Sequence, residues 1–124
     1  MTVGSGYLVA YPADLTKAFT GALNDGAISP ALTYTLAGSS GWNLVGNPYP
    51  SAIDWDMVSS MTGLDNAVYV WDNANQNYKE WVAGVGDLTD GIIPAMQGFF
   101  VKANAASPTL TFQNSQRVHS GSAY

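Results

Sequence analysis

Turn-forming residues punctuate this chain about every ten positions, and the runs between them are short, β-branched and aromatic. That spacing suits strands and leaves little room for long helices. The chain is therefore expected to be all-β, a jelly-roll-like β-sandwich of about eight strands. Strands are predicted over 6–11, 17–24, 31–37, 41–46, 67–72, 77–83, 97–103 and 109–114. Asn24-Asp25-Gly26 reads as a hairpin turn, because these residue types tolerate positive φ.

One stretch breaks the pattern. In GNPYPSAIDWDMVSSMTGLDN, the prolines on either side of Tyr49 forbid a central strand. Asp54 or Asp56 is placed to cap one short crossover helix running through Met57, Val58 and Met61, with Gly63 ending it. Asn47, followed by Pro48, is expected to bond its own backbone in a turn.

A length of 124 residues with 47% apolar side chains supports one core and hardly two, so residues 1–118 are expected to form a single module and 119–124 a flexible tail. His119, at the start of that tail, is expected on the surface. Only 10% of residues are charged, so the polar surface must come from Asn, Ser, Thr, Gln and Gly, a style of surface common on secreted, glycan-facing proteins. Nine carboxylates against Lys17, Lys79, Lys102 and Arg117 give a net charge of −5, which argues against a nucleic-acid partner. There is no cysteine for disulfides or thiolate metal sites. No apolar run approaches the roughly 20 residues of a membrane-spanning helix, and the first residues lack the basic start and apolar centre of a signal peptide. A monomer is expected.

The richest aromatic grouping is AVYVWDNANQNYKEWVA, residues 67–83. Alternation puts Val68 and Val70 on one face of its first strand and Tyr69 with Trp71 on the other. The second strand separates Tyr78, Glu80 and Val82 from Asn77, Lys79 and Trp81. The turn can use two, four or five residues, and a slip of one residue exchanges the faces. The face carrying Lys79 is expected to be solvated, taking Trp81 with it. A strip formed by Trp81, Trp71, Tyr69 and Tyr78 would suit sugar rings, whose apolar C–H faces stack on aromatic faces while their hydroxyls need polar partners. Asp72, Asn73, Asn75, Gln76, Asn77, Lys79 and Glu80 are the candidate polar partners. The plainer alternative makes Tyr69 and Trp71 core residues and the Asn-rich loop ordinary turn chemistry. Trp55, between two aspartates, either extends the platform or plugs the sandwich edge. Trp42 is expected to be a buried anchor, and Phe99 a core residue with Phe100 and Lys102 on the opposite face.

The acidic pairs Asp54 and Asp56, Asp72 and Glu80, or Asp87 and Asp90 invite a glycosidase reading, but no deep cleft is expected in so small a sandwich, and the chain is expected not to be an enzyme. The loop from Asp72 to Asn77 and the pair Asp87 and Asp90 offer oxygens for a structural calcium, or are simply acidic turns, since neither repeats a complete calcium-loop pattern. No other cofactor is expected.

The runs GWNLVGNPYPSAIDWD, LDNAVYVWD, IPAMQGFFVKA and NSQRVHS, in that order, resemble a β-rich module of secreted proteins from Bacteroidetes-type bacteria. In such proteins the module precedes a sorting domain of the type IX secretion system, and the hosts include polysaccharide-acting enzymes and adhesins. The resemblance spans about residues 4–120 and implies a secreted or cell-surface location beside a linked catalytic or adhesin domain. The chain ends at Tyr124 without such a sorting domain, which fits a segment of a longer protein. Together with the tryptophan-rich hairpin, the resemblance implies a non-catalytic carbohydrate-binding module for β-glucan-type plant polysaccharide: cellulose, mixed-linkage glucan or xyloglucan. A structural spacer or adhesin module without glycan affinity is the alternative.

Overall fold

Alternation along the apolar runs divides their side chains between two sides of a sheet, and the sandwich follows from where each side finds cover. The structure, a computed structural model, describes residues 1–13, 16, 18, 20–35 and 41–119. The fold is all-β, with short antiparallel strands and three single 3₁₀ turns among the described residues. The largest sheet has five strands in the order β1 (Trp42–Gly46), β8 (Gly98–Lys102), β4 (Ala67–Asp72), β5 (Asn77–Val82) and β6 (Val85–Gly86). Opposite it lie β10 (Arg117–Val118), β2 (Ala52–Asp54) and β7 (Ile92–Ile93), while β3 (Met61–Thr62) pairs with β9 (Thr109–Leu110). The late strand β8 thus inserts between β1 and β4, a long-range crossing of the kind that closes a sandwich.

The inner face of the large sheet supplies Val45, Val68, Val70, Phe99 and Val101. Ile53, Ile93, Trp55, Leu88, Leu110 and Phe112 meet them in one buried cluster. Phe99 sits at its middle, edge-on to Trp55 at 6.1 Å and to Phe112 at 6.2 Å. Each such fully buried side chain contributes about 1.5–3 kcal/mol of transfer free energy.

The Pro-flanked stretch is held by Asn47. Its Oδ1 accepts from the Tyr49 N–H, the side-chain turn expected of it, and its Nδ2 donates to the carbonyls of Ser51, Ile93 and Pro94. Tyr49 is buried, with its hydroxyl donating to the Gly26 carbonyl at 2.6 Å.

The crossover helix shrinks to one 3₁₀ turn, Trp55–Met57. Asp54 caps it by accepting from the Asp56 N–H at 2.9 Å. It stops at Val58, whose backbone is extended and whose side chain is buried, and Met61 instead enters β3. β-Branched Val58 followed by two serines favours extended backbone over further helix.

Four predicted strands, 41–46, 67–72, 77–83 and 97–103, match β1, β4, β5 and β8. The strand predicted over 109–114 is shorter: β9 ends at Leu110, Phe112 bridges Ile28, and Asn114–Gln116 is a 3₁₀ turn. The described parts of 6–11, 17–24 and 31–37 form no strand. Contact with the ladder is made at the start of the first of these: Ser5 bridges Val45, and the Gly6 N–H donates to the Leu44 carbonyl. Beside 31–35, the Asn43 side chain takes the place of a neighbouring strand, accepting from the Thr33 N–H and donating to the Thr33 carbonyl. Asn24-Asp25-Gly26 does turn, with Gly26 at φ +71°, but joins no hairpin. His119 is exposed, and residues 120–124 of the expected tail lie outside the described residues.

Candidate functional site

The hairpin β4–β5 closes through a four-residue turn, so Trp71 opposes Tyr78, Tyr69 opposes Glu80, Val70 opposes Lys79 and Val68 opposes Trp81. Because Val68 and Val70 line the core, Lys79 and Trp81 share the inner side. This overturns the expected solvation of Trp81. Its ring is half-buried against the core cluster and its indole N–H donates to Asp56 Oδ1 at 2.9 Å. Lys79 lies on that side without disrupting the core because its amine reaches the rim, 3.5 Å from the Asp72 carboxylate. Trp55 is likewise removed from any platform: it is fully buried, donating to Asn66 Oδ1 at 3.0 Å.

Trp42 makes the opposite correction. It is 43% exposed, outward on the first strand of the large sheet, with the Lys102 amine 5.7 Å from its ring centre. The pairings Trp42 with Lys102, Leu44 with Phe100, and Phe100 with Tyr69 carry the outer face across β1, β8 and β4, and Trp71 with Tyr78 extend it onto β5. The anchor role expected of Trp42 belongs to Trp55. At the edge of an alternating strand, parity alone could not say which tryptophan had a partner sheet over it.

Five aromatic side chains therefore share one solvent-facing surface. Trp42 meets Tyr69 at 5.1 Å and Phe100 at 6.4 Å, Tyr78 meets Phe100 at 5.8 Å, and Trp71 meets Tyr78 at 5.0 Å. Every contact is edge-to-face, with interplanar angles of 68–87°. The rings stand at steep angles and wall an open groove of about 530 Å³ lined by Trp42, Tyr69, Tyr78 and Phe100. Tyr78, 48% exposed, closes the groove at β5, and Trp71, 39% exposed, packs against it just beyond. Of the residues proposed for the platform, Tyr69, Trp71, Tyr78 and Glu80 are on this face; sequence reasoning missed Trp42 and Phe100. Phe100 was placed opposite Phe99 but given no role.

The loop polar groups behave differently from the expected sugar partners. Asp72 is buried and accepts from the Ala74 and Asn75 N–H groups and from Asn75 Nδ2. The hydrogen bond from the Asn75 side chain, above all, holds its carboxyl below the usual carboxylate range. Gln76 Nε2 donates back to the Asn73 carbonyl, and Gln76 itself has φ +51°. Asp72, Asn73, Asn75 and Gln76 thus build the turn. Asn77, opposite Asp72, lies off the aromatic face. The acidic pairs are dispersed too: Asp54 caps a turn, Asp56 holds Trp81, and Asp72 and Glu80 point to opposite faces of the hairpin. Asp87 and Asp90 are exposed. Among the described residues, no three His, Cys, Asp or Glu side chains gather as a metal site would require, and no helix is long and apolar enough to cross a membrane.

The chain belongs to a family described as a domain of unknown function, DUF8693, whose pattern matches residues 1–85. The match takes in Trp42 and the β4–β5 hairpin and stops before β8. No curated protein and no solved structure matches the chain.

Proposed function

We propose that this family member is a non-catalytic carbohydrate-binding module that takes β-glucan-type polysaccharide on the outer face of its large sheet. The observation that carries this reading is the groove walled by Trp42, Tyr69, Phe100 and Tyr78 and prolonged by Trp71. Contiguous exposed aromatic surface on a soluble fold marks a binding site. Glu80 and Lys102 are the charged side chains at its margin, and such a nearly neutral face suits a neutral chain better than an anionic one. Steeply angled rings suit a single glucan chain lying in the groove more than a flat crystalline surface. Asp54 caps a turn, Asp72 builds one and Asp56 holds Trp81, and among the described residues no two carboxylates face each other across the groove's aromatic lining, which supports binding without catalysis.

The module would act as part of a secreted or cell-surface protein, holding a linked domain near its polymer and so raising its effective concentration. Affinity electrophoresis in gels containing mixed-linkage glucan, xyloglucan, xylan or mannan tests the reading. Retardation by a β-glucan that is lost in Trp71→Ala and Trp42→Ala, both folded, is the expected result. Free migration in every gel, with no pull-down on insoluble cellulose, would leave the module as a spacer or adhesin element.

A further inference from the structure

Gly98 stands at the start of β8, on the border of the outer face, without needing to be glycine. It lies in β8, two residues before Phe100 and opposite Gly46, and its backbone φ is not positive. A Cβ built there meets nothing closer than 3.8 Å, from Leu44 and the Val45 carbonyl. Gly46 is different, since a Cβ on it would press on the Ser5 carbonyl oxygen at 3.0 Å. Glycine within a strand weakens the strand, and where no bend or packed backbone demands it, close approach of a ligand is a physical reason for it.

Beyond Gly98 the surface opens again. A second hollow of about 570 Å³ is bordered by Gly4, Tyr7, Leu23, Asn47, Met96 and Gly98 itself. Leu23 and Met96 are 77% and 64% exposed on its rim. Gly98 therefore borders this hollow and stands two residues from Phe100 of the aromatic groove, and it adds no side chain of its own beside the neighbouring Leu44. From the Gly4–Gly6 segment beside β1 through β8 and β4 to β5, the face is five chain segments wide. At a spacing of about 4.8 Å that is about 19 Å, more than one sugar ring covers.

Resting on the glucan-binding reading, we infer that Gly98 is a specificity determinant for extended chains: the ligand crosses its bare backbone from the aromatic groove into the second hollow. The module binds internal segments of a glucan chain, and short oligosaccharides occupy the aromatic half alone. Isothermal titration with cellobiose and cellohexaose tests this, using wild type, Gly98→Leu and Met96→Asn. Met96 has φ +61°, which asparagine accepts readily, so the second variant keeps the fold even if the first does not.

Wild type is expected to bind the hexaose at least about tenfold more tightly than the disaccharide, and each variant to lose about fivefold or more for the hexaose while changing the disaccharide by less than about twofold. Equal affinity for both sugars in wild type, or unchanged hexaose binding in both folded variants while Trp71→Ala abolishes it, overturns the extension and leaves the aromatic groove as the whole site. Absence of any glucan binding by wild type removes both this inference and the function it rests on.

Discussion

Replacing Trp81 and Trp71 by alanine, one at a time, asks which side of the hairpin each ring occupies. Trp81 is half-buried against the core and ties β5 to the 3₁₀ turn through Asp56. Truncating a buried tryptophan costs about 3–5 kcal/mol, and partial exposure places Trp81→Ala near the lower end, about 3 kcal/mol. Trp71 is 39% exposed, and the contact it loses is the edge-to-face one with Tyr78. Such a pair is worth about 0.5–1.5 kcal/mol beyond area, so Trp71→Ala should cost about 1 kcal/mol. With a urea slope of about 1.5 kcal/mol per molar, the unfolding midpoints fall by about 2 M and about 0.7 M respectively. Far-ultraviolet circular dichroism is the suitable probe, because removing an indole would change the fluorescence baseline. If Trp71→Ala destabilised the protein as much as Trp81→Ala, the hairpin would be paired one residue out of the register described, and the aromatic face would have to be redrawn.

Asp72, with its carboxyl held low, contributes stability that is fully present above the ordinary value of 3.8 and is lost as pH falls through its lowered folded value. Urea midpoints followed from about pH 6 to about pH 2 should therefore fall more steeply in wild type than in Asp72→Asn, and parallel curves would contradict the role given to the turn. Tyr49 titrates in the other direction, because burial raises its phenol, opposed by Arg117 and assisted by Asp25. As pH rises above 10.0 the unfolded chain gives up this proton before the native one does, so stability declines, and Tyr49→Phe should lessen that decline in urea midpoints measured across alkaline pH. Gly41 has φ +95°, and a Cβ there would collide with the Ala103 carbonyl oxygen. Gly41→Ala should cost more than about 1 kcal/mol, seen as a melting temperature lower by about 4 °C or more.

The four strands of the large sheet that are long enough to show an alternating pattern were legible in sequence, and so was the split of Phe99 to the core and Phe100 to the outside. The strands that escaped, such as Ile92–Ile93 and Arg117–Val118, are two residues long and exist because a partner strand is present, not because of their own pattern. The helix was over-read because an aspartate cap serves one 3₁₀ turn as well as it serves a longer helix. At the site, alternation correctly grouped Tyr69 with Trp71 and Tyr78 with Glu80. What it could not supply was the cross-strand register, and the assumption that a lysine face must be solvated then put Trp81 on the wrong side. Lys79 defeats that assumption by lying at the sheet's rim within reach of a buried aspartate. Trp42 was misplaced because a tryptophan on a strand looks the same in sequence whether the sheet above it exists or not.

The four indole N–H groups offer the most direct test of the outer face as a glucan site. In ¹⁵N-labelled protein titrated with cellohexaose, the Trp42 and Trp71 indole signals should shift progressively, while those of Trp55 and Trp81, bonded to Asn66 and Asp56, should stay in place. Stationary signals from Trp42 and Trp71 at saturating sugar would contradict it.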